Sequence, residues 1–108
     1  MKKQITTALF AVATFAIAAS AHAADGEAIV KKARCVACHA VDAKRVGPAY
    51  KEVAVKYKGD AKAPAALFEK VRHGGSGNWG NVPMIPHGED KISNDDLHEA
   101  ITWILSLH

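Results

Sequence analysis

The sequence predicts an all-α fold of about four short helices gathered around one long loop rich in glycine and proline. Three observations predict it. Apolar residues recur at helical spacing, most clearly at Leu97, Ala100, Ile101, Ile104 and Leu107. No stretch alternates apolar and polar residues as a half-buried strand does. Residues 74–92 hold five glycines (74, 75, 77, 80 and 88) with Pro83 and Pro86, a composition that predicts a loop without regular structure.

Taken in order, the chain opens with a segment that stands apart. Lys2 and Lys3 precede an apolar run from Leu9 to Ala19, broken only by Thr14, and Ala21-His22-Ala23 has the small-x-small form of a cleavage site. This three-part pattern predicts a secretory signal peptide over residues 1–23. An uncleaved membrane anchor is the alternative, but the run falls short of the ~20 residues a spanning helix needs. The expected mature domain is residues 24–108.

Asp25 is the expected cap of a first helix in "GEAIVKKAR", with Ala28, Ile29 and Ala33 on one stripe. In "KRVGPAY", Pro48 holds Gly47 extended and can open the next helix. That helix, within "AYKEVAVKYKG", has Gly59 as its stop, and Pro64 opens a third, "PAALFEKVRHGG", again closed by glycine. Ser93 with Asp96 resembles a capping box, Asp standing in for Glu, at the start of "NDDLHEAITWILSL".

Removal of 23 residues from 108 leaves 85, enough for one domain and few enough that a disulfide, metal or cofactor is expected to support the core. Lys2 and Lys3 leave with the signal. Twelve basic residues then face eleven acidic ones, and the formal charge falls from +3 to +1. There is no basic run, so nucleic-acid binding is not expected. Lys51, Lys56, Lys58 and Lys62 read as a solvated face. With no second long apolar run, the mature chain is expected to have no membrane span and to work in the periplasm.

Both cysteines lie in "CVACH", residues 35–39. A C-x-x-C-H motif reads as covalent attachment of c-type haem. Two thiols separated by two residues in a turn can reach the two vinyl groups on one haem edge, and His39 then offers a ring nitrogen to the iron. Three other chemistries use such residues. A thioredoxin-like pair needs a βαβ context that is not visible here. Structural zinc needs about four ligands, of which Cys35, Cys38 and His39 supply three, leaving a distant histidine to complete the set. A disulfide would close one local turn and restrain little of the unfolded chain. The adjacent histidine and the export signal favour haem, one per chain, which also gives a small domain an apolar centre to fold around.

A second ligand is needed on the other face of the iron. Apart from the initiator, Met84 is the only methionine, and it lies between Pro83 and Pro86 outside any predicted helix. A lone methionine is ordinarily a core gap-filler, a role poorly suited to this position. Met/His ligation characterises electron-transfer cytochromes and raises the reduction potential. Among His73, His87, His98 and His108, only His87, three residues away, is a serious rival.

"CVACHAVDAKRVGPAYKEVAVKY" and "GSGNWGNVPMIPHGEDKISNDDLHEAITWILSL" resemble the short bacterial class I cytochromes c of the c-551 type. The resemblance spans residues 25–107 and includes CxxCH, the "VGPAY" turn, the "WGNVPM" loop and the terminal "WILSL" helix. It implies a haem-wrapping fold in which the first and last helices cross. It implies thioethers at Cys35 and Cys38, His39 as proximal ligand and Met84 as distal ligand. Pro48 would pack on the proximal side, where its neighbourhood accepts a hydrogen bond from the outer nitrogen of His39. Trp79 would direct its indole N–H to an inner propionate, and Lys70 stands where the family often has an arginine near a propionate. His87 replaces a commonly found asparagine that donates toward the methionine sulfur. Trp103 is expected in the core.

The expected function is that of a periplasmic one-electron carrier, not an enzyme, in a respiratory chain. The resemblance implies a membrane-linked electron donor, and a nitrite reductase, oxidase or peroxidase as acceptor. The protein is expected to be a monomer. Val36, Ala37, Ile85 and Pro86 are the expected docking edge, with Lys44 and Arg45 steering the encounter.

Overall fold

The structure, a computed structural model, describes residues 8–14 and 22–108. Most of the signal segment expected over residues 1–23 lies outside the described residues. Among the described residues there are four helices: α1 His22–Lys32, α2 Tyr50–Lys56, α3 Ala63–His73 and α4 Asn94–Leu105. A 3-10 turn, Cys35–Ala37, follows α1, and two short strands, β1 Gly75–Gly77 and β2 Gly80–Met84, lie between α3 and α4. Among the described residues no helix is long and apolar enough to cross a membrane.

Helix α1 begins three residues before the expected cap. Asp25 lies in its first turn, where a carboxylate faces the positive end of the helix dipole. Ala23 and Ala24, strong helix formers, carry the helix back to His22. At its other end Arg34 takes a left-handed conformation (φ 64°) that turns the chain into the cysteine motif.

Helix α2 starts where Glu52 accepts a hydrogen bond from the Ala49 amide at 3.2 Å, and Gly59, at φ 77°, lies just beyond its end. Pro64 occupies the first turn of α3, where its missing N–H costs nothing. Gly74 ends α3 at φ 67°, its amide donating to the Lys70 carbonyl at 2.7 Å. A Cβ at Gly74 would overlap the Met84 carbonyl and stand 2.9 Å from the Pro86 nitrogen. Only glycine therefore lets the two ends of the hairpin approach.

The hairpin departs from the loop expected over residues 74–92. β1 and β2 pair antiparallel, Gly75 with Met84 and Gly77 with Gly80, with an irregularity between. Neither strand buries a face, so no alternation marks them in the sequence. The rest of that stretch, up to Ser93, joins the hairpin to α4 without helix or strand. Ser93 caps α4 as expected, its hydroxyl accepting from the Asp96 amide at 3.2 Å.

The core is the seam between α1 and α4, with α2 and α3 also packed on α4. It holds Val30, Tyr50, Ile92, Leu97, Ala100, Ile101 and Trp103. Gly26 makes the crossing close, since a Cβ there would overlap that of Trp103 and lie 2.6 Å from its Cγ. Trp103 fills this core with 8% of its surface exposed, as the sequence predicts.

Candidate functional site

The turn after α1 carries Cys35, Cys38 and His39. Backbone bonds wind it tightly: the amides of Cys38 and His39 both donate to the Cys35 carbonyl, at 3.1 and 3.0 Å. The spacing of the motif thus becomes a single turn, with both thiols partly buried and unpaired. Arg45 Nη1 donates to the Val36 carbonyl at 3.0 Å, which holds the outside of that turn.

His39 is fixed from three sides. Its Nδ1 lies 2.7 Å from the Pro48 carbonyl oxygen. A carbonyl can only accept, so Nδ1 carries a proton, and in the neutral ring that leaves the Nε2 lone pair for a metal. The ring stacks on Tyr50, centroids 5.1 Å apart and planes 15° from parallel. Gly47 covers its edge so closely that a Cβ would stand 2.9 Å from each ring nitrogen. The Gly47 amide donates to the Cys38 carbonyl at 2.8 Å, and the Tyr50 amide to that of Ala40 at 2.9 Å, so "VGPAY" is laced to the cysteine turn.

Tyr50 links this turn to the core. It is 5% exposed and stands edge-on to Trp103 at 5.8 Å. Burial raises the Cys35 thiol above its ordinary range, an effect the Tyr50 hydroxyl partly offsets. Burial, and then the neighbouring Cys35, push the Tyr50 phenol far above its own.

The other expected residues gather on the hairpin. Met84 ends β2 and is partly buried. Lys70 reaches from α3 to the strand opposite, its Nζ 3.7 Å from where a Gly75 Cβ would lie, and Gly75 pairs with Met84. Trp79 at the hairpin tip is 40% exposed. Lys56 holds that tip from α2, donating to the Asn78 carbonyl at 3.0 Å and lying over the Trp79 ring, 4.5 Å from its centroid. Lys56 is therefore not simply part of a solvated lysine face. His87 turns its Nδ1 back to the Ile85 carbonyl at 2.9 Å. Cys35, Cys38, His39 and Pro48 thus form one network, while Lys70 and Met84 meet at the open end of the hairpin and Trp79 stands apart at its tip, against Lys56.

Gly47, Tyr50, Lys56 and Arg72, whose guanidinium donates to the His87 and Ile92 carbonyls, have structural roles that their sequence positions do not announce. "VGPAY" marks the first two as a turn and a helix start; the two cations carry no pattern that separates them from surface charge.

A model of the cytochrome c family matches residues 23–108. Cytochrome c-551 of Pseudomonas aeruginosa is 42% identical over 106 residues, covering 98% of each chain. Cytochrome c-551 of Allochromatium vinosum is 49% identical over 79 residues, covering 73% of this chain and 82% of its own. The crystal structure of Nitrosomonas europaea cytochrome c552 superimposes with a TM-score of 0.70 at 40% identity, covering 76% of this chain and 99% of that one.

The family implies covalently attached haem c, and the residues here fit that group. Two thiols stand in one turn with a histidine whose Nδ1 is already engaged. Val46, Val55, Val82 and Ile85 expose 55–65% of their surface on the segments after His39 and around Met84, an apolar set suited to a flat apolar disc.

Proposed function

The chain belongs to the cytochrome c family, and on that premise we propose that it is a periplasmic one-electron carrier with His39 and Met84 as axial ligands. The relatives include cytochromes c-551 and c-552. The observation that carries the ligand reading is the His39–Pro48 bond of 2.7 Å. A bond from the non-ligating nitrogen fixes ring orientation and raises the basicity of Nε2.

When bound, the haem supplies a reversible one-electron couple; the protein supplies attachment, orientation and polarity. Cys35 and Cys38 provide the thioethers. Met84 provides a neutral, soft donor on a short strand, favouring the reduced state relative to a second imidazole. Trp79 would offer its indole N–H, and Lys70 its ammonium, to the propionates. With His39 and Met84 both holding the iron, no metal position would remain for a substrate, which favours a carrier over an enzyme. Its expected partners are a membrane-linked donor and a terminal reductase, oxidase or peroxidase, met as a monomer through the edge around Val36 and Ile85.

Visible spectra of the purified protein test this reading. The reduced protein should be six-coordinate and indifferent to carbon monoxide, and its haem should survive acid–acetone extraction. Rapid carbon monoxide binding by the untreated protein would point to an open iron and overturn the carrier reading.

A further inference from the structure

We infer that Arg72 is the positioning residue of the distal loop, clamping the chain after Met84 so that the thioether stays at the iron. The inference rests on Met84 being the distal ligand.

Beyond Met84 the chain runs to Ser93 without helix or strand, and such a segment would fray unless something tied it down. Arg72, on the last turn of α3, ties it at both ends. One guanidinium nitrogen, Nη1, donates to the His87 carbonyl at 3.0 Å and to the Ile92 carbonyl at 2.8 Å. The other, Nη2, donates to the Asn94 side-chain oxygen at 2.7 Å. Asn94 in turn donates to Glu89 at 2.9 Å, so the middle of the segment is reached through the same residue. The His87 amide bonds the Val71 carbonyl at 2.9 Å, one residue from Arg72 on the same helix. The guanidinium also lies 5.2 Å from the centroid of Phe68, which stacks on His98 of α4 at 4.5 Å.

Three elements therefore meet at one cation: α3, the segment after the ligand and the start of α4. A guanidinium suits this position because its planar fork can serve several acceptors at once and remains charged at all working pH values. Lysine would keep the charge and lose the fork. His87 is three residues from Met84, so freedom at the His87 carbonyl passes along the chain to the ligand. Arg72 acts through that backbone and not on the iron.

The test uses the haem-loaded protein in its oxidised form. Cyanide binding reads how often the distal ligand leaves the iron, and amide hydrogen exchange at His87 reads the clamp directly. Arg72→Met should speed both by about tenfold, the scale of losing charge-assisted hydrogen bonds, and Arg72→Lys should fall between it and the parent. Val53→Ala, which weakens the core from α2, serves as a control for general destabilisation. Rates in Arg72→Met that matched the parent, or rose no more than in Val53→Ala, would overturn the inference. If Arg72→Met did not fold, Arg72→Lys and Asn94→Ala would carry the same comparison. Met84→Ala separates the two levels. Faster cyanide entry there with unchanged entry in the Arg72 variants would remove Arg72 alone. Unchanged entry in Met84→Ala would remove the ligand assignment, and the role of Arg72 at the iron with it.

Discussion

The Nδ1 of His39 donates to the Pro48 carbonyl across 2.7 Å, while Gly47, the residue before that proline, closes over the edge of the same ring. One dipeptide therefore sets both the tautomer and the tilt of the imidazole. Gly47→Ala should drive the ring from this position, because its new methyl would stand 2.9 Å from both ring nitrogens. A loss of about 1–3 kcal/mol is expected from such overpacking, together with a changed reduction potential. Denaturant unfolding and redox titration measure the two effects, and Gly47→Ala with parental values in both would contradict the fit.

Substitution at Met84 tests the distal ligand. If its sulfur binds iron, the oxidised protein should show a weak sulfur-to-iron band at the red end of the visible spectrum. Met84→His should abolish that band, keep the iron six-coordinate and lower the potential substantially within the ~0.8 V that axial ligation spans. Met84→Ala should admit carbon monoxide. His87→Ala should preserve the band, since the His87 ring folds back on the Ile85 carbonyl.

Lys56 should matter to the hairpin in proportion to its two contacts. Lys56→Gln removes the cation from the Trp79 ring and should destabilise by about 0.5–1 kcal/mol, the range for exposed cation–π pairs. Its stronger signature should be faster amide exchange in residues 75–84, with helix α4 unaffected. Uniform behaviour across both regions would deny Lys56 a local role.

Lys44 and Arg45 should behave differently on charge reversal although they are neighbours. Both are exposed, but Arg45 also holds the Val36 carbonyl. Lys44→Glu should alter the rate of reaction with a redox partner and its salt dependence while leaving stability near parental. Arg45→Glu should do the same and also loosen the cysteine turn, visible as faster exchange of the Ala37 and Cys38 amides. Stopped-flow electron transfer at two ionic strengths, with exchange on each variant, separates steering from support.

The four helices and the cysteine motif were legible because each depends on local rules. Ser93 and Pro64 mark helix starts by capping and by a dispensable N–H, and α4 shows its buried stripe directly. The hairpin was not legible, because strands are recognised by alternation and neither β1 nor β2 has a buried face. The beginning of α1 was misplaced because Asp25 suits a first turn as well as a cap. Arg72 and Lys56 were hidden for another reason. All but one of their acceptors are main-chain carbonyls 15–22 positions away, and carbonyls leave no mark in the identity of a residue.

The close crossing at Gly26 and Trp103 has a kinetic side. These residues stand near opposite ends of the domain, so a contact that completes the core also spans most of the domain's sequence. Such a contact requires closing a loop of nearly the full domain before any gain is realised. A chain missing α4 would therefore leave α1 without its main partner. Polypeptide emerging from synthesis should remain unfolded until its final helix is available, keeping Cys35 and Cys38 accessible to whatever attaches the haem.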